Sequence, residues 1–159
     1  MTETTIQMTG VLEPRDGWTA DACPMAHALD VVRNRSAFLV LREAFYGATR
    51  FEEFAARSGL SEPVTASRLR ELTDAELLER EPYQEPGQRT RQLYRLTEKG
   101  ADLLPALVAL MQWGDKWVLP GGARVEIRHQ GCGAAVTAEL RCSHGHQVER
   151  DELELGRRR

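Results

Sequence analysis

The chain has no apolar run able to cross a bilayer: its longest, Leu103 to Trp113, stops well short of the roughly 20 residues a spanning helix needs. Its opening, MTETTIQMTG, has no apolar core of a secretory signal, so no membrane association is expected and the cytoplasm is the expected compartment. Cysteine is scarce. Cys23, Cys132 and Cys142 are too few and too scattered for a disulfide framework and are read as thiols or metal ligands. Positive charge is not in excess either, with 21 Lys and Arg against 24 Asp and Glu and a net charge of -3. Phosphate contacts need Lys and Arg, so this balance speaks against a protein that coats nucleic acid and confines any such surface to a local patch. What is present, 42% hydrophobic residues in a chain of 159, suffices for one compact core with an appendage and not for two full domains.

Met1 to Ala20 carry no sustained apolar period and are punctuated by Gly10, Pro14 and Gly17, which predicts a flexible arm over 1–20. A helical pattern begins after Cys23, where Pro24 suits a first turn and Met25, Leu29 and Val32 share a face. A second helix is expected from Ser36, a candidate N-cap, with Phe38, Leu41 and Phe45 on its packed face and Gly47 at its end. Thr49 and Glu52 stand three apart as a capping box for a third helix that ends near Ser58. Gly59 then supplies a left-handed stop, Ser61 a cap and Pro63 a tolerated first-turn residue for a fourth. In that helix Thr65, Leu69 and Leu72 form a stripe fit for burial, which leaves a small-polar, Arg-bearing surface outside.

LLEREPY and QLYRL are β-like runs separated by QEPGQRTR, which predicts a hairpin with a basic tip. Thr97 caps a last long helix, whose Leu103, Leu104, Leu107, Val108, Leu110, Met111 and Trp117 cover more than one face. Pro105 has no amide hydrogen and collides with the carbonyl of Ala101, so the helix should kink or restart there. Beyond Pro105 there is more apolar surface than one small core covers, and Leu107, Leu110, Met111 and Trp117 are the expected dimer contacts. After Leu119-Pro120-Gly121-Gly122 the sequence becomes alternating and turn-rich, which is read as a small β-hairpin extension over 120–159 with RRR as a solvated tail.

Three helices, a tight turn into a polar fourth, and a hairpin with a basic tip follow the order of a winged helix-turn-helix. In this α+β fold the fourth helix enters the major groove of double-stranded DNA. Thr65, Ser67 and Arg68 are the expected base-facing residues, and Arg70 is a further candidate for which Glu71 and Asp74 compete. Gln88, Arg89, Thr90 and Arg91 would lie at the wing tip, against the minor groove or its phosphates. Cys23, directly before Pro24, sits at a helix start, where free amides and the helix dipole favour thiolate. It is the candidate redox sensor, against the plainer reading of a buried, inert thiol. His129, Cys132, Cys142, His144 and His146 bring zinc-type donors into one stretch. There is no CxxC pair, however, and the Cys132 to Cys142 interval is unlike a ribbon knuckle. No cofactor is expected, and zinc on His129, Cys132, Cys142 and His146 is the lesser reading.

The runs CPMAHALDVV, FLVLREAFYGATRFEEF, SRLREL and LYRLTEKG, followed by LLPAL and Trp113-Gly114, resemble in order and spacing the HxlR-type bacterial transcriptional regulators over Cys23 to Trp117. The resemblance implies a winged-helix homodimer over 21–119, joined through its first and last helices, that binds two half-sites of a palindromic operator, by default as a repressor. It also implies that the first cysteine, here Cys23, senses oxidants or electrophiles, as in some members; a small-molecule effector stays unidentified. The chain departs from the family pattern twice. Glu62-Pro63 stands where a Lys is usual near the start of the recognition helix, and Glu76 where a Gly is common before the hairpin. A residue other than Gly in a left-handed conformation there costs roughly 1 kcal/mol or more. Two rival functions are a winged-helix protein-interaction module without DNA binding and a thiol or metal enzyme in the C-terminal segment. The latter lacks a second acid–base constellation, and the protein is read as a non-enzyme.

Overall fold

The computed structural model describes residues 6–8, 23–87 and 89–156. In chain order the elements are strand β1 (Gln7–Met8), helices α1 (Pro24–Val32), α2 (Arg35–Phe45), α3 (Phe51–Ser58) and α4 (Glu62–Asp74), and strands β2 (Leu78–Tyr83) and β3 (Arg91–Leu96). Helices α5 (Glu98–Ala101) and α6 (Leu104–Trp117), a 3-10 turn (Arg150–Glu152) and strand β4 (Glu154–Leu155) complete them. The chain divides into two compact units, His27–Arg124 and a second made of Met1–Ala26 with Val125–Arg159.

The unit His27–Arg124 is an α+β winged helix-turn-helix, and its local structure follows from caps and stripes. Helix α2 begins a residue earlier than its Ser36 suggests. Asn34, in extended backbone, is the N-cap, and its Oδ1 accepts from the amide of Ala37 at 3.1 Å and from the Ser36 hydroxyl at 2.6 Å. Helix α3 shifts likewise. Its N-cap is Arg50, so the third helical residue is Glu53 rather than Glu52, and Glu53 Oε2 accepts from the amides of Thr49 at 2.8 Å and Arg50 at 3.0 Å. Those two donors hold the Glu53 carboxyl below its ordinary value of 4.5. Gly59, at φ 70°, turns the chain out of α3, and Ser61, extended, leads into α4 with Pro63 in its first turn.

The core lies where α2, α3 and α4 meet the base of the hairpin. Val40, Leu41, Phe54, Leu69, Leu72, Leu77 and Leu78 are buried there, and Phe54 meets Tyr94 edge-on at 6.0 Å. Burying each such side chain contributes about 1.5–3 kcal/mol, which makes this cluster the main support of the helix-turn-helix. Strands β2 and β3 pair antiparallel from Leu78↔Leu96 to Tyr83↔Arg91. A bridge between Arg50 and Leu93, with the Tyr94 amide on the Thr49 carbonyl at 2.8 Å, fastens the hairpin to the start of α3. Between α4 and β2, Glu76 sits at φ 59°, the left-handed conformation for which glycine is the usual residue. Its carbonyl accepts from the Thr97 hydroxyl at 2.6 Å.

The last helical region breaks where Pro105 requires. Thr97 caps α5 by accepting from the Gly100 amide at 3.0 Å, and the helix restarts as α6 with Pro105 in its first turn, where a missing amide hydrogen is harmless. Leu107 corrects the sequence reading: it is buried, 5% exposed, in its own chain and is not a free dimer contact. Leu110, Trp113 and Trp117 are exposed, and Met111 is half-buried.

In the other unit, β1 pairs parallel with β4, Gln7 opposite Glu154 and Met8 opposite Leu155. The expected N-terminal arm thus contributes a strand, although most of 1–20 lies outside the described residues, as does the RRR tail. The expected hairpin in the C-terminal extension is absent as a ladder among the described residues. Two tight loops stand there instead, closed by single bridges, Arg128↔Ala135 and Arg141↔Gln147, with Gly133 and Gly145 at positive φ. None of the residues 6–7, 23–26 and 125–156 of this unit is buried. Without a packed face, nothing extends the pairing beyond the turns.

Candidate nucleic-acid interface

Helix α4 follows the α3–Gly59 turn in the position of a recognition helix. Its buried stripe is Thr65, Leu69 and Leu72. Successive residues turn by about 100°, so Pro63, Ser67, Arg70 and Asp74 lie on the opposite side. Two expected base readers therefore fail on geometry. Thr65 is fully buried, its hydroxyl turned back onto the Ser61 carbonyl at 3.1 Å. Arg68 flanks the buried stripe: its side chain is 20% exposed and its Nη1 pairs with Glu71 Oε2 at 2.5 Å. Ser67 is half-buried and donates to Glu71 Oε1 at 3.0 Å. Arg70 is exposed and, among the described residues, has no ion-pair partner. The residue that sequence reasoning left in competition with its acidic neighbours is thus the arginine presented outward, and the competing Glu71 is engaged by Ser67 and Arg68 instead.

At the hairpin, Gln88 lies outside the described residues. Arg89, Thr90 and Arg91 are exposed. Arg91 reaches back to α3, where its Nη1 meets Glu52 Oε1 at 2.8 Å. This contact, which the sequence did not signal, braces the wing against the helix-turn-helix. Arg89 has no ion-pair partner among the described residues and lines, with Thr90, Gln92 and Phe51, an open cleft between β3 and the start of α3. Arg50 lies 5.1 Å over the Tyr83 ring and pairs with Glu85 at 3.1 Å, which holds the arm of the wing. Carboxylates occupy most of the other cations on this face, including Arg57 on Glu53 at 3.5 Å and Arg95 on Glu81 at 2.9 Å. The positive patch is local, as the charge balance requires.

The remaining candidates belong to the other unit. Cys23, directly before α1, is half-buried. Cys132 and Cys142 are exposed thiols. His129 Nδ1 lies 3.2 Å from Cys132 Sγ, and the rings of His144 and His146 meet edge-on at 6.4 Å. Among the described residues no three His, Cys, Asp or Glu side chains gather as a metal site, so His129, Cys132, Cys142 and His146 are not brought together as one ligand set. No helix among them is long and apolar enough to cross a membrane.

Comparison with known proteins agrees with the fold. The family model described as HxlR-like helix-turn-helix matches residues 31–121. The chain is 42% identical over 121 residues to the HTH-type transcriptional regulator Rv3095 of Mycobacterium tuberculosis, covering 76% of this chain and 75% of that protein. It is 31% identical over 101 residues to the HTH-type transcriptional regulator YodB of Bacillus subtilis, covering 62% of this chain and 88% of the relative. Among solved structures it is similar to PA1607, described as a transcription factor, with a TM-score of 0.72 and 34% identity over 81% of this chain and 90% of that one. It is also similar to the Pseudomonas aeruginosa transcription factor PA1374, with a TM-score of 0.56 and 31% identity over 79% and 86% of the two chains.

Proposed function

Because this chain belongs to the HxlR-like helix-turn-helix family of transcriptional regulators, we propose that it is a DNA-binding regulator that acts as a homodimeric repressor on a palindromic operator. The observation that carries the reading is the outward face of α4, where Ser67 and Arg70, which has no ion-pair partner among the described residues, stand opposite the buried stripe, beside a wing that ends in Arg89. An arginine fork matches guanine O6 and N7 in the major groove, and a wing-tip arginine neutralises phosphate or enters the minor groove. Thr65 has no part in contact, and Arg68 acts from behind the face.

The dimer is supported by apolar surface that the single chain leaves uncovered. Leu29 and Val31 on α1 and Leu110, Trp113 and Trp117 on α6, with Val118 and Leu119 after it, are all 40% or more exposed. Apolar exposure on that scale marks an interaction surface more often than a solvated one. A two-fold pairing through α1 and α6 presents two α4 helices to half-sites about 34–36 Å apart.

The reading is tested by retention of random duplexes on the purified protein, followed by titration of the enriched sequence. Arg89→Ala is expected to weaken binding to every sequence and to reduce the salt slope by about one. Arg70→Ala is expected to cost about 1–3 kcal/mol on the preferred operator and to relax the preference at one position. Unchanged affinity in both variants at physiological salt overturns the assignment. A wild-type protein that enriches no sequence favours the protein-interaction module instead.

A further inference from the structure

We propose that Ser67 and Glu71 form an acceptor subsite on α4 that selects cytosine at one position of each half-site, with Glu71 as the specificity-determining residue and Arg68, paired to it from behind, as its positioning residue. The proposal rests on the reading of α4 as the recognition helix. It starts from one carboxylate with two partners. Glu71 Oε2 takes Nη1 of Arg68 at 2.5 Å, and Glu71 Oε1 takes the Ser67 hydroxyl at 3.0 Å. Arg68 is the rigid member: its side chain is only 20% exposed, and its Nε is buried without a hydrogen-bond partner among the described residues. Leaving a buried donor unmatched is costly, so Arg68 is held in place by its packing and by Glu71 rather than by full satisfaction of its own donors.

The hydrogen-bond chemistry follows. A serine hydroxyl has one proton to give and two lone pairs. With that proton committed to Glu71, Ser67 offers the groove only acceptors. The Glu71 carboxylate, 34% exposed, is acceptor-only by nature. Ser67 and Glu71 therefore present lone pairs and negative charge to a base edge, and both repel the O6 and N7 of guanine and the O4 of thymine. Two bases carry an amino donor in the major groove, cytosine at N4 and adenine at N6. Adenine sets its N7 acceptor beside N6, where it faces the second lone pair of the subsite. Cytosine has no acceptor there, so cytosine fits.

The roles of the two outward residues are then distinct: Arg70 donates to base or phosphate acceptors, while Ser67 and Glu71 accept from a base amino group. Glu71 is also kept from neutralising Arg70, because both of its oxygens are already engaged.

The experiment is selection from randomised duplex DNA by the full-length protein, with Glu71→Gln, Ser67→Ala and Arg68→Met in parallel. The wild type is expected to favour a C·G pair at one half-site position by roughly 5- to 150-fold over the other pairs, the range of a good base contact. Glu71→Gln, whose amide can donate, relaxes that position and no other, at an unchanged salt slope. Arg68→Met, which keeps the buried stem, relaxes the same position by freeing the carboxylate. A C·G pair read by Arg70 from its guanine would look alike in sequence, so the second measurement places N4-methylcytosine at that position. It should cost the wild type as much as Glu71→Gln does, and cost the Gln variant nothing more. Base preferences unchanged in Glu71→Gln and Ser67→Ala, or indifference of the wild type to N4-methylation, overturn the subsite while DNA binding stands. A wild type that enriches nothing removes the DNA-binding reading and the subsite with it.

Discussion

Gly100→Ala sets local helix propensity directly against packing, and the two forces have opposite signs. Gly100 lies in the short helix α5 at an ordinary backbone angle, buried, and an alanine inside a helix is normally worth about 0.5–1 kcal/mol over glycine. Here an added Cβ would stand 2.1 Å from the Leu77 carbonyl oxygen, 3.0 Å from its carbon and 3.2 Å from Leu96 Cδ2. The nearest atom is backbone and cannot rotate away. Opening that gap even to 3.0 Å moves α5 about 0.9 Å off the segment between α4 and β2. Three hydrogen bonds fasten that junction: the Thr97 amide to the Leu77 carbonyl at 3.2 Å, the Thr97 hydroxyl to the Glu76 carbonyl at 2.6 Å, and Lys99 Nζ to the Ala75 carbonyl at 2.8 Å. Overpacking costs about 1–3 kcal/mol, and each weakened hydrogen bond about 1 kcal/mol. Against the propensity gain, the net loss is about 2–3 kcal/mol. For a unit of this size that corresponds to a fall in Tm on the order of 10 °C. Gly100→Ser adds the same Cβ and should be no more stable. Thermal unfolding followed by circular dichroism reads the sign. A Tm equal to or above that of the wild type in Gly100→Ala would show that this junction is loose and that the placement of α4 against the wing does not depend on it.

Three other outcomes are expected. Leu110→Glu combined with Trp117→Glu leaves the buried Leu107 and Val108 untouched and should give folded monomers with weakened operator binding; an intact dimer by sedimentation excludes α6 as the interface. The Glu53 carboxyl is lowered in the folded state by the Thr49 and Arg50 amides, so its contribution to stability is present above its ordinary value of 4.5 and is lost as pH falls through the lower folded value. Glu53→Gln should therefore destabilise at pH 7 by about 0.5–2 kcal/mol, as loss of a helix cap does, and converge with the wild type in acid; a constant difference across that window contradicts the sign. Cys23, if it senses oxidants, should react with diamide or a quinone faster than Cys132 and Cys142 and change operator affinity; mass-spectrometric labelling in which it is the slowest of the three removes that role.

Much of the fold was legible because the turns carry chemistry. Gly59, Pro63, Thr97 and Pro105 each sit where the backbone needs them, and the stripe of Thr65, Leu69 and Leu72 is the buried one. The errors come from choices between neighbours. Asn34 and Ser36 are both able caps, as are Thr49 and Arg50 in backbone terms, and one residue of slip moves the capping carboxylate from Glu52 to Glu53. The loops of the C-terminal unit lacked any buried face from which a period could be read.

The candidate site turns on the same arithmetic of one residue. Arg68 follows Thr65 by three and precedes Leu72 by four, which places it beside the buried stripe. Ser67 and Arg70, three apart, and Pro63, four before Ser67, share the outer side. Counting from the stripe inside the sequence already favours Arg70 over Arg68 and excludes Thr65 from any contact. The same count fails on α6: Leu110 follows Leu107 by three and Leu103 by seven and so shares their side of the helix, yet Leu107 is buried and Leu110 exposed, because the core covers only the start of that face. No count reveals that Glu71 binds Ser67 and Arg68 together, because the choice between those partners and Arg70 is made by side-chain conformation. A recognition surface is therefore located by the period of its buried stripe, and its hydrogen-bond polarity by which neighbour captures each proton.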